Sequence, residues 1–226
     1  MSFLIEKYKR IKNELSEQHA TLVAVTKTKS VNDILEAYEA GQRDFGENYV
    51  QELVDKYEAL PKDIRWHFIG HLQSNKVKYI TPFVYLVHGV DSEKLLLEIN
   101  KQAAKINRVI PCLLQVYISS EETKFGLDEQ ELETLITKIS TQEDQWKNVV
   151  VKGLMGMASF TEDNDLIITE FSKLKKLYDK CKAKLSIIHY PLSILSMGMS
   201  ADYRFGIEAG SNMVRIGSLL FGSRVS

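Results

Sequence analysis

Lys27 is the first residue whose setting suggests covalent chemistry, because only Thr26 separates it from the apolar run Leu22-Val-Ala-Val25. A lysine at the end of such a run is partly desolvated, which favours the neutral amine and makes it a nucleophile toward an aldehyde. Lys29, two residues further on, lies past the run and is expected to point to solvent. Two later segments, Ser196-Met-Gly-Met-Ser200 and Arg215-Ile-Gly217-Ser218, combine small residues with hydroxyls. Small residues permit close backbone approach, hydroxyls donate, and N–H groups at a helix start favour an anion, so the pair suggests a phosphate cradle. A plain surface turn explains Ser196–Ser200 equally well on its own; two such turns in suitable places favour the cradle. Arg215 interrupts the apolar stretch Met213-Val-Arg-Ile216, and a buried guanidinium needs partners for its donors. His67 and His71 have the chemistry of ligands or acid–base groups, although a hydrogen-bonded structural histidine is the commoner outcome. Trp66 and Trp146 are expected to cover apolar surface, and the Lys173–Lys184 charge run to form the wet face of a helix.

These residues need a scaffold, and the chain alternates short β-branched runs with segments of helical period. Strands are predicted at Thr21–Lys27, Arg43–Asn48, Trp66–Gly70, Tyr85–Val90, Val109–Ile118, Val149–Met157, from Ser186 to His189, and at Met213–Gly217. Between them, helices are predicted at Val31–Ala40, Tyr49–Leu60, Asn75–Ile80, Ser92–Asn107, Glu129–Ser140, Asp165–Lys184 and Asp202–Ala209, with Ser92 and Asp128 as caps. Strands separated by helices pair in parallel, and about eight such units in about 200 residues suit a closed (β/α)8 barrel better than an open doubly wound sheet. Leu4, Tyr8, Ile11 and Leu15 lie on one stripe of a first helix, which is placed to cover the seam left where no helix follows strand eight. Active residues of such barrels gather at the carboxyl ends of the strands. Lys27, Glu47-Asn48, Gly70-His71, Met155–Ser159, Ser196–Ser200 and Arg215–Ser218 all fall there, with Ser218–Gly222 as a short extra helix beside the phosphate.

The 226 residues fit a single domain spanning 1–226. Hydrophobic residues make up 44% and charged residues 26%, ordinary for a soluble globular protein. A formal net charge of −1 gives no reason to expect nucleic acid or an anionic membrane as partner. The two cysteines, Cys112 and Cys181, are far apart and in no metal-ligand spacing, so neither a disulfide framework nor a metal site is expected. The charged, amphipathic start does not read as a signal peptide, and no apolar stretch reaches the ~20 residues of a membrane span. A cytoplasmic location is expected.

Several phrases together carry a family resemblance: Leu22-Val-Ala-Val-Thr-Lys27-Thr-Lys29, Phe45-Gly-Glu-Asn-Tyr-Val-Gln-Glu52, Trp66-His-Phe-Ile-Gly-His-Leu-Gln-Ser-Asn-Lys76, Gly153-Leu-Met-Gly-Met157, Leu195-Ser-Met-Gly-Met-Ser200 and Val214-Arg-Ile-Gly217 with Phe221-Gly-Ser-Arg224. They resemble the pyridoxal phosphate homeostasis proteins, the proline synthase co-transcribed family, related to the barrel domain of alanine racemase. The resemblance runs from about residue 3 to 224 and implies a role for each matching position. Lys27 would hold pyridoxal 5'-phosphate as a Schiff base, and Asn48 would contact the ring side. Ser200, Gly217 and Ser218 would bind the phosphate, with Ser196 and Met199 lining the same pocket. Arg215 would face the pyridine nitrogen, where a cation disfavours protonation and makes the ring a poorer electron sink.

Two functions remain open at this point. One is a carrier that stores, buffers or delivers the cofactor, acting as a monomer with pyridoxal-phosphate-dependent apo-enzymes as recipients. The other is a weak amino-acid racemase, which needs an acid–base group on each face of the substrate carbon. In the related racemases the second base comes from an additional β domain. Only nine residues follow Gly217, so the carrier is favoured. A sugar-phosphate lyase or isomerase using Lys27 without cofactor would keep the barrel, but it is disfavoured by the resemblance.

Overall fold

The computed structural model describes residues 3–120, 125–188 and 190–222. Its strands are Thr21–Val25 (β1), Asp44–Glu47 (β2), Arg65–Phe68 (β3), Leu86–Val90 (β4), Ile110–Gln115 (β5), Val149–Met155 (β6), Ile194–Met199 (β7) and Met213–Ile216 (β8). All pair in parallel in the order β1 to β8, and β8 returns to β1 with Thr21 opposite Met213 and Ala24 opposite Ile216, closing the barrel. The helices are Ile5–Glu17 (α1), Val31–Glu39 (α2), Val50–Ala59 (α3), Val77–Ile80 (α4), Glu93–Ala104 (α5), Glu129–Thr141 (α6), Asn164–Ser186 (α7), Tyr203–Glu208 (α8) and Ser218–Phe221 (α9).

Strand alternation sorts the side chains into two cores. Val23, Leu86, Leu113, Met155 and Met213 fill the barrel, with Met157 and Ile194 against them. Their sequence neighbours Leu22, Ala24, Leu114, Leu154 and Val214 face outward into a larger core shared with the helices. The caps act as expected: Ser92 accepts from Leu95 N–H, and Asp128 forms a reciprocal capping box with Glu131. The first helix seals the seam. Tyr8, Ile11 and Leu15 are buried, α1 packs on α9 and β1, and Leu4 N–H donates to the Leu220 carbonyl at 2.8 Å.

Strand seven is the main correction. The β-branched pair Ile187-Ile188 mimics a strand, but the apolar stripe Phe171, Leu174, Tyr178, Cys181, Leu185 carries α7 on to Ser186, and Ile187 is exposed. The predicted end at His189 lies outside the described residues. The strand that completes the barrel is Ile194–Met199, so Ser196 and Met199 belong to a strand rather than to the turn after one. Small residues there answer to packing, because a methyl group on Gly153 of β6 would run into the Ile194 carbonyl and backbone of β7.

Gly153→Ala therefore forces the β6–β7 pair apart, and urea unfolding should report a loss of at least about 1–3 kcal/mol. A variant with the wild-type midpoint would contradict this close approach.

Candidate functional site

Closure brings β7, β8, β1 and β2 side by side, and the residues expected to act come from the carboxyl ends of these four neighbouring strands. Lys27 lies two residues past the end of β1 and is half-buried. Lys29 does not point freely to solvent: its ammonium donates to the Phe221 carbonyl at 2.9 Å and ties the β1–α2 loop to the end of α9.

Arg215 shares the inward face of β8 with Met213 and is 4% exposed. One guanidinium nitrogen donates to the Ser196 hydroxyl at 2.6 Å and to the Ser196 carbonyl at 3.0 Å, and another to the Gly156 carbonyl at 3.1 Å. These acceptors are neutral. Burial pulls the guanidinium down to about 10, with Asp202 pulling the other way, so it stays a cation at neutral pH. Met199 stands opposite Arg215 in the β7–β8 register. The Ser200 hydroxyl accepts from Gly217 N–H at 3.1 Å, joining the two small-residue segments. Gly217 precedes α9 and lies against Val25, so that a methyl group there would sit 3.3 Å from the Val25 carbonyl oxygen. Ser218 opens α9 and is exposed. At the end of β2, Asn48 presents a buried side-chain oxygen with no hydrogen-bond partner.

Sequence reasoning missed most of the polar groups that support this arc. Behind Lys27, Glu47 is fully buried and accepts from the Thr26 hydroxyl at 2.5 Å and from Lys56 at 2.7 Å. Burial pushes the Glu47 carboxyl up to about 7 against the pull of Lys56. Inside the barrel, Asp44 is paired with Arg65 at 2.5 Å and with His67 at 3.0 Å, and His67 in turn meets His88 at 2.9 Å. Burial disfavours the charged form of both histidines. His71, half-exposed at the mouth, bonds Asp91 and stacks on Phe125. Glu170 of α7 accepts from Ser120 and Ser159, holding the loops after β5 and β6. The signal available in the sequence was charge inside short strands, as at Asp44 and Glu47. A surface depression of about 530 Å3 along Ser140–Gln145 is at the opposite end of the barrel, where α6 returns to β6.

The family model for the N-terminal domain of alanine racemase matches residues 2–225. A protein of Aquifex aeolicus named pyridoxal phosphate homeostasis protein is 41% identical over 209 residues, covering 92% of this chain and 89% of that protein. This chain belongs to the pyridoxal phosphate homeostasis protein family. Another structure of the same form is PipY of Synechococcus elongatus PCC7942, solved without PLP (TM-score 0.89, 31% identity, 97% and 100% of the two chains). PipY has also been solved with PLP bound (TM-score 0.86, 30% identity, 96% and 99% of the two chains). Alanine racemase from Bartonella henselae, at 16% identity and a TM-score of 0.69, shares the fold of this family over 62% of its own length. No helix among the described residues is long and apolar enough to cross a membrane.

The Asp44 cluster gives the family member an acid-sensitive element. Burial pushes the Asp44 carboxyl up, but hydrogen bonds from Arg65 and His67 outweigh it and hold it at about 2, below the ordinary 3.8. A lowered carboxylate contributes stability that is fully present above the ordinary value and is lost as pH falls toward the lowered one. The stability gap between wild type and Asp44→Asn should therefore shrink as pH drops from about 4 to about 2. A gap independent of pH in denaturant titrations would refute that role.

Proposed function

We propose that this protein binds pyridoxal 5'-phosphate and serves its homeostasis by storing, buffering or delivering it, with the cofactor held as a Schiff base on Lys27. The observation that carries this reading is that Lys27, Asn48, Met199, Ser200, Arg215, Gly217 and Ser218 lie at or just past the carboxyl ends of four adjacent strands, with Ser196 bonded to Arg215 from within β7. The name of the Aquifex aeolicus relative and the PLP-bound form of PipY support the choice of ligand.

The residues present fit the group. Asn48 offers an unpartnered buried oxygen at the edge of the arc, and Gly217 keeps the approach between Val25 and α9 open. The Ser200 hydroxyl and the start of α9 offer donors to a phosphate, as a helix start does for anions. When bound, the cofactor supplies an aldehyde and an electron-withdrawing ring. Lys27 provides the amine, whose nitrogen replaces the aldehyde oxygen, and that oxygen leaves as water. Arg215, a buried cation fixed by Ser196 and Gly156, would disfavour a proton on a ring nitrogen facing it. That electrostatics suits holding the group better than using it for carbanion chemistry.

The purified protein should show the visible absorption of a bound Schiff base, and Lys27→Ala should abolish it while Lys29→Ala keeps it. Borohydride reduction followed by peptide mapping should place the label on Lys27. A band that survives Lys27→Ala, or turnover in a racemisation assay near the median enzyme rate of about 10 per second, would overturn the carrier. Arg215→Ala should loosen cofactor binding; unchanged affinity and spectrum would reduce Arg215 to a packing residue.

A further inference from the structure

Lys27 is flanked by two residues that the structure grips from behind. On one side, the Thr26 hydroxyl donates to Glu47, and the Thr26 carbonyl accepts from Lys56 at 2.7 Å. On the other, Thr28 N–H donates to the Glu52 carboxylate at 2.6 Å. Glu52 and Lys56 are one helical turn apart on α3 and are themselves paired at 2.6 Å. The three N–H groups of Lys56 thus each have an acceptor: Thr26 carbonyl, Glu47 and Glu52. A single charged chain, Glu47–Lys56–Glu52, spans the backs of both neighbours of Lys27.

Two features of this chain are hard to explain as stability alone. Replacing a buried ion pair by apolar residues of similar size is often neutral or favourable, and here Lys56 and Glu47 are 5% and 0% exposed. Thr28 also occupies left-handed backbone, φ 66°, which a β-branched residue adopts only when its surroundings over-determine it. Two bonds hold the residue in that conformation: the turn bond from Lys29 N–H to the Thr26 carbonyl at 2.9 Å, and from behind the bond from Thr28 N–H to Glu52. We propose that Glu52, with Lys56 and Glu47 behind it, is a positioning device that fixes the backbone on both sides of Lys27 and so aims its amine into the barrel mouth. This rests on the Schiff-base reading of Lys27 and adds to it residues that do not touch the cofactor. With Glu52 removed, Thr28 relaxes toward an ordinary backbone conformation and the Lys27 side chain swings away from its direction of attack.

The test uses Glu52→Ala, Glu52→Gln and Glu52→Ala combined with Thr28→Gly, because Glu52 is partly exposed and its loss leaves the Glu47–Lys56 pair intact. Two readouts are taken. Amide hydrogen exchange at Thr28 is followed in cofactor-free protein, and pyridoxal phosphate is trapped on Lys27 by borohydride at limiting aldehyde. In Glu52→Ala, Thr28 exchange should rise by about tenfold or more, and Lys27 trapping should slow by about ten- to a hundredfold, while thermal unfolding moves little. Glu52→Gln keeps an oxygen acceptor and should trap nearly as wild type. Thr28→Gly in the Glu52→Ala background should recover trapping, since glycine takes left-handed backbone without a Cβ penalty. Undiminished trapping in Glu52→Ala, or equal losses in Glu52→Gln and Glu52→Ala, would overturn the positioning role alone. Wild-type protein labelled elsewhere than Lys27 would overturn both it and the function it rests on.

Discussion

The proposed site depends on the pairing of β8 with β1. Parallel strands put all their carboxyl ends on one side, but only closure makes the first and last strands neighbours. Lys27 sits at residue 27 and Arg215 at residue 215, and no local interaction joins them. The hydrogen bonds between Thr21–Ala24 and Met213–Ile216 do so, and the residues leading into α1 cover the joint, with Phe3 packed against Phe221 and Leu4 N–H donating to the Leu220 carbonyl. The four-strand arc β7-β8-β1-β2 is a product of that closure.

Inside the barrel and between its wall and α3, most buried charge is answered. Arg215 spends its donors on Ser196 and Gly156, Asp44 is answered by Arg65 and His67, and Lys56 is saturated by Thr26, Glu47 and Glu52. Buried groups without partners cost free energy, so these clusters fix orientation as much as they stabilise. The exceptions are informative in the same terms. Asn48 leaves a buried oxygen unpartnered just past the end of β2, and the neighbouring Glu47 leaves one of its two carboxylate oxygens so.

Most of the architecture was legible in the sequence because local signals agreed with the global fold. The caps Ser92 and Asp128, the glycine after α2, and the apolar runs of β1 and β4 to β6 all named their elements within a few residues. Strand seven was misplaced because its residues, Ile194-Leu-Ser-Met-Gly-Met199, have the small and hydroxyl composition of a turn, while Ile187-Ile188 has the composition of a strand. Tertiary packing against Gly153 and Asn212 decided between them. At the site, Lys27, Arg215 and the serine–glycine segments stood out by type. The supporting carboxylates did not, since Glu47 meeting Lys56 and Asp44 meeting His67 are contacts between elements that no spacing rule anticipates. Lys29 was misjudged for the same reason: its acceptor, the Phe221 carbonyl, is 192 residues away.

The contact of Leu4 with Leu220 has a temporal corollary. During synthesis the amine-bearing loop leaves the ribosome before β8 and α9 do, so in that interval the nascent chain carries half a cleft with an open edge on β1. Contacts of such sequence separation make closure a late and slow event in folding. A ligand that bridges β1 and β8 would therefore be captured only once the two strands have paired, and its arrival would staple that join shut.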